Sequence, residues 1–287
     1  MNHATTDALS IIYNEGQWRL NKVSPLFNLQ YDELKLKQYA SKVRQSLVGS
    51  VTTNTSTKYT VQFEELPLLK YCEEDPSGLM ITVSSTYENN AKSKVAYVAI
   101  LLAWGMSVTL SSATHLPYLI ERGEQKVGTA VKSILQTIFD CNVNQYLIRQ
   151  HQLLQFGFSF LECDTSRSSD NFTLVYKTPQ VDHKDQLNLT FDISDVHIIW
   201  NGVRDYDENR SELVNVAYQI LQNQIFYMMA LDVKVLDLCE VILPKAEIKS
   251  TGIVKMKTPE AVNSTFMVLN DITFNAMNNV SHITQGS

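Results

Sequence analysis

The stretch RGEQKVGTAVKS, residues 122–133, decides what kind of fold this chain has. Gly123 and Gly128 are separated by four residues, Thr129 follows, and an apolar periodic segment comes next. That is close to Gly-x-x-x-x-Gly-Lys-Ser/Thr, whose backbone N–H groups cradle phosphates between a strand and a helix in α/β nucleotide-binding folds. Two features speak against it. Thr129 stands where the phosphate-reaching lysine belongs, and the preceding HLPYLIERG is broken by Pro117 and does not read as a clean buried strand. The stretch reads instead as a turn at Gly123 and a helix from Glu124, an acidic residue favoured there by the helix dipole. Val127, Val131, Ile134, Leu135, Ile138 and Phe139 recur at three- and four-residue steps and give that helix one apolar face.

Upstream, QWRLNKVSPLFNLQY reads as two short extended pieces broken at Pro25. Asp32 caps a helix running to about Val48, with Leu36, Tyr39, Val43 and Leu47 as its stripe. A polar loop, GSVTTNTSTK, precedes three expected strands, in YTVQFEELPLLKY, GLMITVSSTY and SKVAYVAILLAWG. Downstream, a second helix is expected from about Gln145 to Leu161, then a loop at DTSRSSDN and strands in FTLVYK and QLNLTFDI. Leu187, Leu189, Phe191 and Ile193 alternate as a half-buried strand does. Ser194 is read as the cap of a short helix carrying Val196, Ile199, Trp200 and Val203. A long helix follows from about Arg210 to Leu231, then strands in VKVLDLCEVIL and GIVKMK joined around Gly252. Thr258-Pro259 opens a last helix, with a hydroxyl cap and proline at the first helical position. Strands come first, then helices and strands without regular alternation. The expected class is α+β: curved, mostly antiparallel sheets with packed helices, a β-rich lobe at 1–112 and an α+β lobe at 113–287, unless the two run on as one domain.

With 287 residues, 44% hydrophobic and 19% charged, the chain can bury a sizeable core. A net charge of −6 argues against a protein that coats nucleic acid unaided, because neutralising phosphate needs a clustered cationic excess, and leaves room for a local basic strip or a partner that supplies the cations. VAYVAILLAWGM, about twelve residues, is too short to span a bilayer. No export signal is visible, so the Asn-x-Ser/Thr sequons at Asn54, Asn171, Asn188, Asn263 and Asn279 read as chance. The four cysteines, Cys72, Cys141, Cys163 and Cys239, form no Cys-x-x-Cys pair and read as free thiols of an intracellular protein.

No nucleophile elbow, zinc-binding His-Glu-x-x-His or dinucleotide fingerprint occurs. His183 and His197 are lone histidines, and Glu64-Glu65 and Glu73-Glu74-Asp75 read as solvated faces or turns. No catalytic residue, metal ligand or cofactor is expected. Basic residues cluster twice. Lys35, Lys37, Lys42 and Arg44 flank both borders of the first helix's apolar stripe, as snorkelling side chains do. In GIVKMK, Val254 and Met256 point one way and Lys255 and Lys257 the other. This strand offers an apolar face for packing and a cationic face for solvent or phosphate; a lysine-guarded edge is the plain reading.

Taken in order, four segments resemble the centromere protein L family. QWRLNKVSPLFNLQYDELK is similar to its N-terminal motif, LPYLIERGEQKVGTAVKSILQTIFDC to its central motif ending in Phe-Asp-Cys, and LNLTFDISDVHIIWNGV to its strand-then-helix segment. GIVKMKTPEAVNSTFMVLNDITF resembles its last strand and C-terminal helix. The resemblance runs from Gln17 to Phe274 and is diffuse between Gly49 and Ser112; the family's extended N-terminal tail has little counterpart.

The resemblance implies a non-enzymatic subunit of the constitutive inner-kinetochore network, in the nucleus at centromeres. Family members pair with centromere protein N (CENP-N), sheet edge to sheet edge, dock with other inner-kinetochore subunits, and line a basic vault around linker DNA whose charge comes largely from CENP-N. On that basis the partner surface is expected at Ile253, Val254, Met256, Phe266 and Leu269, with Lys249, Lys255 and Lys257 as DNA contacts. Core packing is the competing role for Phe266 and Leu269. Other readings are a small-molecule- or peptide-binding α+β domain, a cryptic enzyme, and a homodimeric scaffold.

Overall fold

A computed structural model describes residues 8–50, 57–87, 90–106, 112–163, 170–178, 186–204 and 209–284. The polar stretches at 51–56 and 164–169, and His183, lie outside the described residues. In chain order the elements are α1 (Ser10–Tyr13), β1 (Gln17–Val23), β2 (Leu26–Phe27), α2 (Glu33–Ser50), β3 (Thr57–Leu66), β4 (Gly78–Tyr87), β5 (Asn90–Leu102), β6 (Ala113–Thr114), β7 (Tyr118–Gly123), α3 (Gln125–Phe139), β8 (Val143–Gln145) and α4 (Gln150–Cys163). Then come β9 (Asn171–Lys177), β10 (Gln186–Asp192), α5 (Ile193–Arg204), α6 (Arg210–Met229), β11 (Asp237–Ile242), β12 (Ala246–Lys249), β13 (Ile253–Met256) and α7 (Pro259–Thr284). The class is α+β, with antiparallel pairing throughout the described ladders.

Two compact units divide the chain: Trp18–Tyr146, and Met1–Gln17 together with Leu147–Ser287. That division is not the one read from the sequence at 112/113. Residues 113–146 belong with the strands before them, because β7 and β8 pair with β1 and α3 packs on β5, β7 and α2.

In the first unit β1, β7, β5, β4 and β3 lie side by side in that order, with β8 against β1. Helices α2 and α3 cover one face. Tyr39, Val43 and Leu47 of α2 meet Val127, Val131, Leu135 and Phe139 of α3 over Phe63, Ile81, Val83, Ala99 and Leu119 of the strands. The Tyr39 and Phe139 rings meet edge to face with centroids 4.9 Å apart. Asp32 caps α2 as expected, its Oδ1 accepting from the Lys35 N–H at 3.0 Å.

The two glycines of residues 122–133 are explained by close approach. Contrary to the expectation for HLPYLIERG, β7 is a clean strand, buried from Tyr118 to Glu121, and it feeds straight into Gly123. Pro117 lies just before it and costs the ladder no donor. Gly123 has φ +108°, and a Cβ there would sit 2.2 Å from the Ala96 carbonyl oxygen. Only glycine fits. That oxygen accepts from the Glu124 N–H at 2.9 Å, and the Gly128 N–H is already donated to Glu124 within α3, so these groups hold the turn and helix together. A Cβ on Gly128 would lie 2.7 Å from the Tyr97 ring and 3.1 Å from the Glu121 carboxylate.

That carboxylate is buried, with Glu121 2% exposed. It accepts from Tyr97 Oη at 2.7 Å, from Lys132 Nζ at 2.6 Å and from Arg19 Nε at 3.4 Å. Lys132 also reaches Asn21 Oδ1 at 3.3 Å. Burial alone would push the Glu121 carboxyl up. The hydrogen bonds from Lys132 and Tyr97, with the charges of Lys132 and Arg19, outweigh burial and hold it below its ordinary 4.5.

In the second unit the ladder runs β10, β9, β11, β12, β13. Helix α4 packs on β11, β12 and α7. Gly157 permits the contact with β11, since a Cβ there would stand 2.9 Å from Val241. Phe158 stacks on Trp200 with centroids 4.8 Å apart, and Ile12 of α1 is fully buried in this unit. Two readings are corrected here. Helix α4 starts at Gln150, not near 145, because the Ile148 N–H is tied to the Ser250 carbonyl at 2.9 Å and 143–145 is strand. β12, sequence AEIK, intervenes between the two strands expected around Gly252. The C-terminal helix begins as read, with the Ala261 N–H donating to Thr258 Oγ1 at 3.2 Å.

A carboxyl depressed by folding adds stability that is fully present above its unfolded value and is lost as pH falls through the lower folded value. Glu121→Gln is therefore expected to lower stability by roughly 1–3 kcal/mol at neutral pH and to flatten its loss below about pH 4; urea unfolding at the two pH values reads both. Gly128→Ala is expected to cost roughly 1–3 kcal/mol, because the extra methyl must displace Tyr97, and thermal melting measures it.

Candidate functional site

The hairpin at residues 246–257 carries most of the expected site. The register sets Ala246 opposite Met256, Glu247 opposite Lys255 and Ile248 opposite Val254. Gly252 turns the chain with φ +74°, its N–H donating to the Lys249 carbonyl at 2.9 Å. In the turn that leads from β11 into β12 the Leu243 N–H donates to the Ala246 carbonyl at 2.8 Å.

One face of the hairpin is core. Val254, Met256, Phe266 and Leu269 are all 0% exposed, and Ile253 is half-buried. Val254 and Met256 share one side of β13, Ile253 falls with Lys255 on the other, and Val254, Met256, Phe266 and Leu269 are fully buried and offer no surface. Core packing is their role here.

The other face is an ion-pair ladder. Lys249 Nζ stands 3.1 Å from Glu240, whose residue is 8% exposed; Lys255 Nζ stands 3.4 Å from Glu247; and Lys257 Nζ lies 3.9 Å from Glu247 while donating to the Pro244 carbonyl at 2.6 Å. The outward direction of Lys255 was legible in the alternation of GIVKMK. Their acidic partners were not, because Glu247 sits on the unread strand β12 and Glu240 reaches Lys249 only through the β11–β12 register. Three lysines face two glutamates here, a net charge of +1, so each of the cations expected for phosphate already has an acidic neighbour in its own unit.

The ladder of this unit has another end at β10, with β9 as its single strand neighbour among the described residues, and its Gln186, Asn188, Thr190 and Asp192 are exposed. The alternation of Leu187, Leu189 and Phe191 identified it as a strand; its terminal position is a property of the whole ladder.

Other chemistry is sparse. Among the described residues no group of three His, Cys, Asp or Glu side chains is placed to hold a metal ion, and no helix is long and apolar enough to cross a membrane. All four cysteines are free thiols. Burial, with Asp140 nearby, pushes the Cys141 thiol up to about 11, and burial raises Cys239 as well, which keeps them protonated and poor nucleophiles. Asp75 departs from its expected place on a solvated turn. It is 3% exposed, and its Oδ2 accepts from the backbone N–H groups of Tyr71, Cys72 and Gly105 at 3.0, 3.4 and 2.8 Å, so it anchors a loop.

The family model for Centromere protein L matches residues 12–282. Centromere protein L of Xenopus tropicalis is 23% identical over 297 aligned residues, which cover 97% of this chain and 83% of that protein.

Each ladder pair contributes roughly 0.2–1 kcal/mol. Reversing Lys249, Lys255 and Lys257 to glutamate places three carboxylates beside Glu240 and Glu247. The triple variant is expected to lose roughly 1–3 kcal/mol with no ligand present, measured by thermal melting at low salt; unchanged melting would show that the ladder adds no stability.

Proposed function

The chain belongs to the centromere protein L family, and from that premise we propose that it is a non-enzymatic structural subunit of the inner kinetochore, paired with CENP-N on centromeric chromatin. The match of the family model along nearly the whole chain carries this reading. The chain's net charge of −6 fits a subunit that leaves phosphate to a partner. With Lys249, Lys255 and Lys257 already facing Glu240 and Glu247, contact with linker DNA rests on cations supplied by the partner.

Sheet-edge pairing in this reading uses β10. An added strand gains backbone hydrogen bonds along it, and the exposed side chains of Asn188 and Thr190 do not obstruct a neighbour. Leu189, buried to 5% exposure, keeps β10 fixed on its own unit while that happens.

Co-expression with CENP-N of the same organism is expected to give a one-to-one complex on gel filtration. Asn188→Lys with Thr190→Lys places two cations on the open strand, the device by which natural edges refuse partners. That variant is expected to lose the complex while keeping its own melting temperature. Two folded proteins that elute separately before any substitution would overturn the pairing; a tightly retained small ligand instead would favour the binding-domain alternative.

A further inference from the structure

The first unit ends on an unbroken ladder. β3 runs against β4 for 10 residues, from Thr57 opposite Tyr87 to Leu66 opposite Gly78, without a register shift. β4 is its single strand neighbour among the described residues. Natural sheets blunt such an edge with a proline, a bulge, a lysine or a strand too short to copy. β3 has no proline and no bulge, and its one cation, Lys58, stands next to its start. Along it Lys58, Thr60, Gln62 and Glu64 are exposed and alternate with the inner-facing Tyr59, Val61 and Phe63. Helix α2 rests on that inner face, the Tyr39 and Phe63 rings 6.0 Å apart. Val61 and Phe63 still keep 9% and 8% exposure, whereas Val83 and Ile81, opposite them on β4, have none.

We propose that a second copy of this chain adds to this edge, β3 antiparallel to β3, with the twofold axis at Val61. Backbone bonds along the edge are open to any strand; the side chains of β3 are matched by β3 itself. Only every second residue of an edge strand turns its N–H and C=O outward, and in an antiparallel pair residues that meet share a face. The axis of two identical strands therefore passes through a residue. With Val61 on the axis, Lys58 meets Glu64, Thr60 meets Gln62 and Tyr59 meets Phe63, each pair formed twice. Opposite charges and paired aromatic rings are the cross-strand neighbours that hold sheets together.

Neighbouring registers lose this match. An axis at Thr60 sets Lys58 against Gln62 and Thr57 against Phe63; an axis at Gln62 sets Glu64 against Thr60 and Tyr59 against Glu65. Parallel pairing in register would set lysine beside lysine and glutamate beside glutamate. β10, an edge of the second unit, carries Asp192 as its one charge and so has no cation for Glu64. A contact that uses the same edge on both partners closes at two copies, whereas β3 on β10 would leave an open end for a third.

Sedimentation of the purified full chain over a concentration series tests this. The unaltered chain is expected to pass from one copy to two and no further. Lys58→Glu and, separately, Glu64→Lys set like charges opposite each other at both ends of the pairing, and each is expected to weaken the dimer about tenfold or more. Both changes in one chain restore two opposite-charge pairs and are expected to return the dissociation constant to within about threefold of the unaltered chain. On β4 the two positions face the uncharged Thr86 and Met80. Melting of the variants, measured where all are single copies, is therefore expected to agree, which separates lost association from lost folding. A chain that stays single up to its solubility limit overturns the proposal. So does a dimer indifferent to either single change, a double variant that folds and stays single, or growth beyond two copies. Asn188→Lys with Thr190→Lys is expected to leave this dimer intact, so pairing of CENP-N at β10 and self-pairing at β3 can each fail alone.

Discussion

The first unit is organised around one buried carboxylate. Removing Glu121 from water is costly unless its oxygens are fully engaged, and the groups that engage them come from three elements: Arg19 on β1, Tyr97 on β5 and Lys132 on α3, the last steadied by Asn21 of β1. Satisfying them together fixes the register of β1, β7 and β5 and the seat of α3. Gly128 is a consequence of the same constraint, because α3 must come close enough for Lys132 to reach the carboxylate, and a methyl at 128 would collide with Tyr97. A segment that looks made for phosphate is made for this contact.

The same logic of paired charge governs the second unit. Glu162 on α4 accepts from the Trp200 indole at 3.0 Å and from Arg210 at 2.7 Å, tying α4 to α5 and α6. Lys249, Lys255 and Lys257 are spent on Glu240 and Glu247. In a chain of net charge −6, cations used for internal pairing are not on offer to phosphate. The proposed binding to chromatin would accordingly be a property of an assembly, through surfaces that join proteins to one another.

Two surfaces of the second unit differ in their physics. The edge of β10 presents backbone donors and acceptors and tolerates many sequences. The furrow between α5 and α6 presents apolar side chains, Ile198, Val203, Leu213 and Val216 among them.

Periodicity was enough to place most elements, since a stripe such as Tyr39, Val43 and Leu47 has one burial solution whatever lies around it. The Asp32 and Thr258 caps were legible for the same reason: a cap is settled within three residues. AEIK was not legible, being four residues long and alternating too briefly to stand out. The start of the second helix, expected at about Gln145, was misplaced because a distant strand, β1, claims the backbone of 143–145. Alternation correctly turned Val254 and Met256 away from Lys255, yet which face was core, which lysine met which glutamate, and which strand ended the ladder depended on neighbours remote in sequence. Local patterning by itself determined the elements and their apolar sides. Tertiary structure alone decided that Gly123 and Gly128 answer to Ala96 and Tyr97, because close approach between segments some thirty residues apart leaves no trace in either segment taken singly.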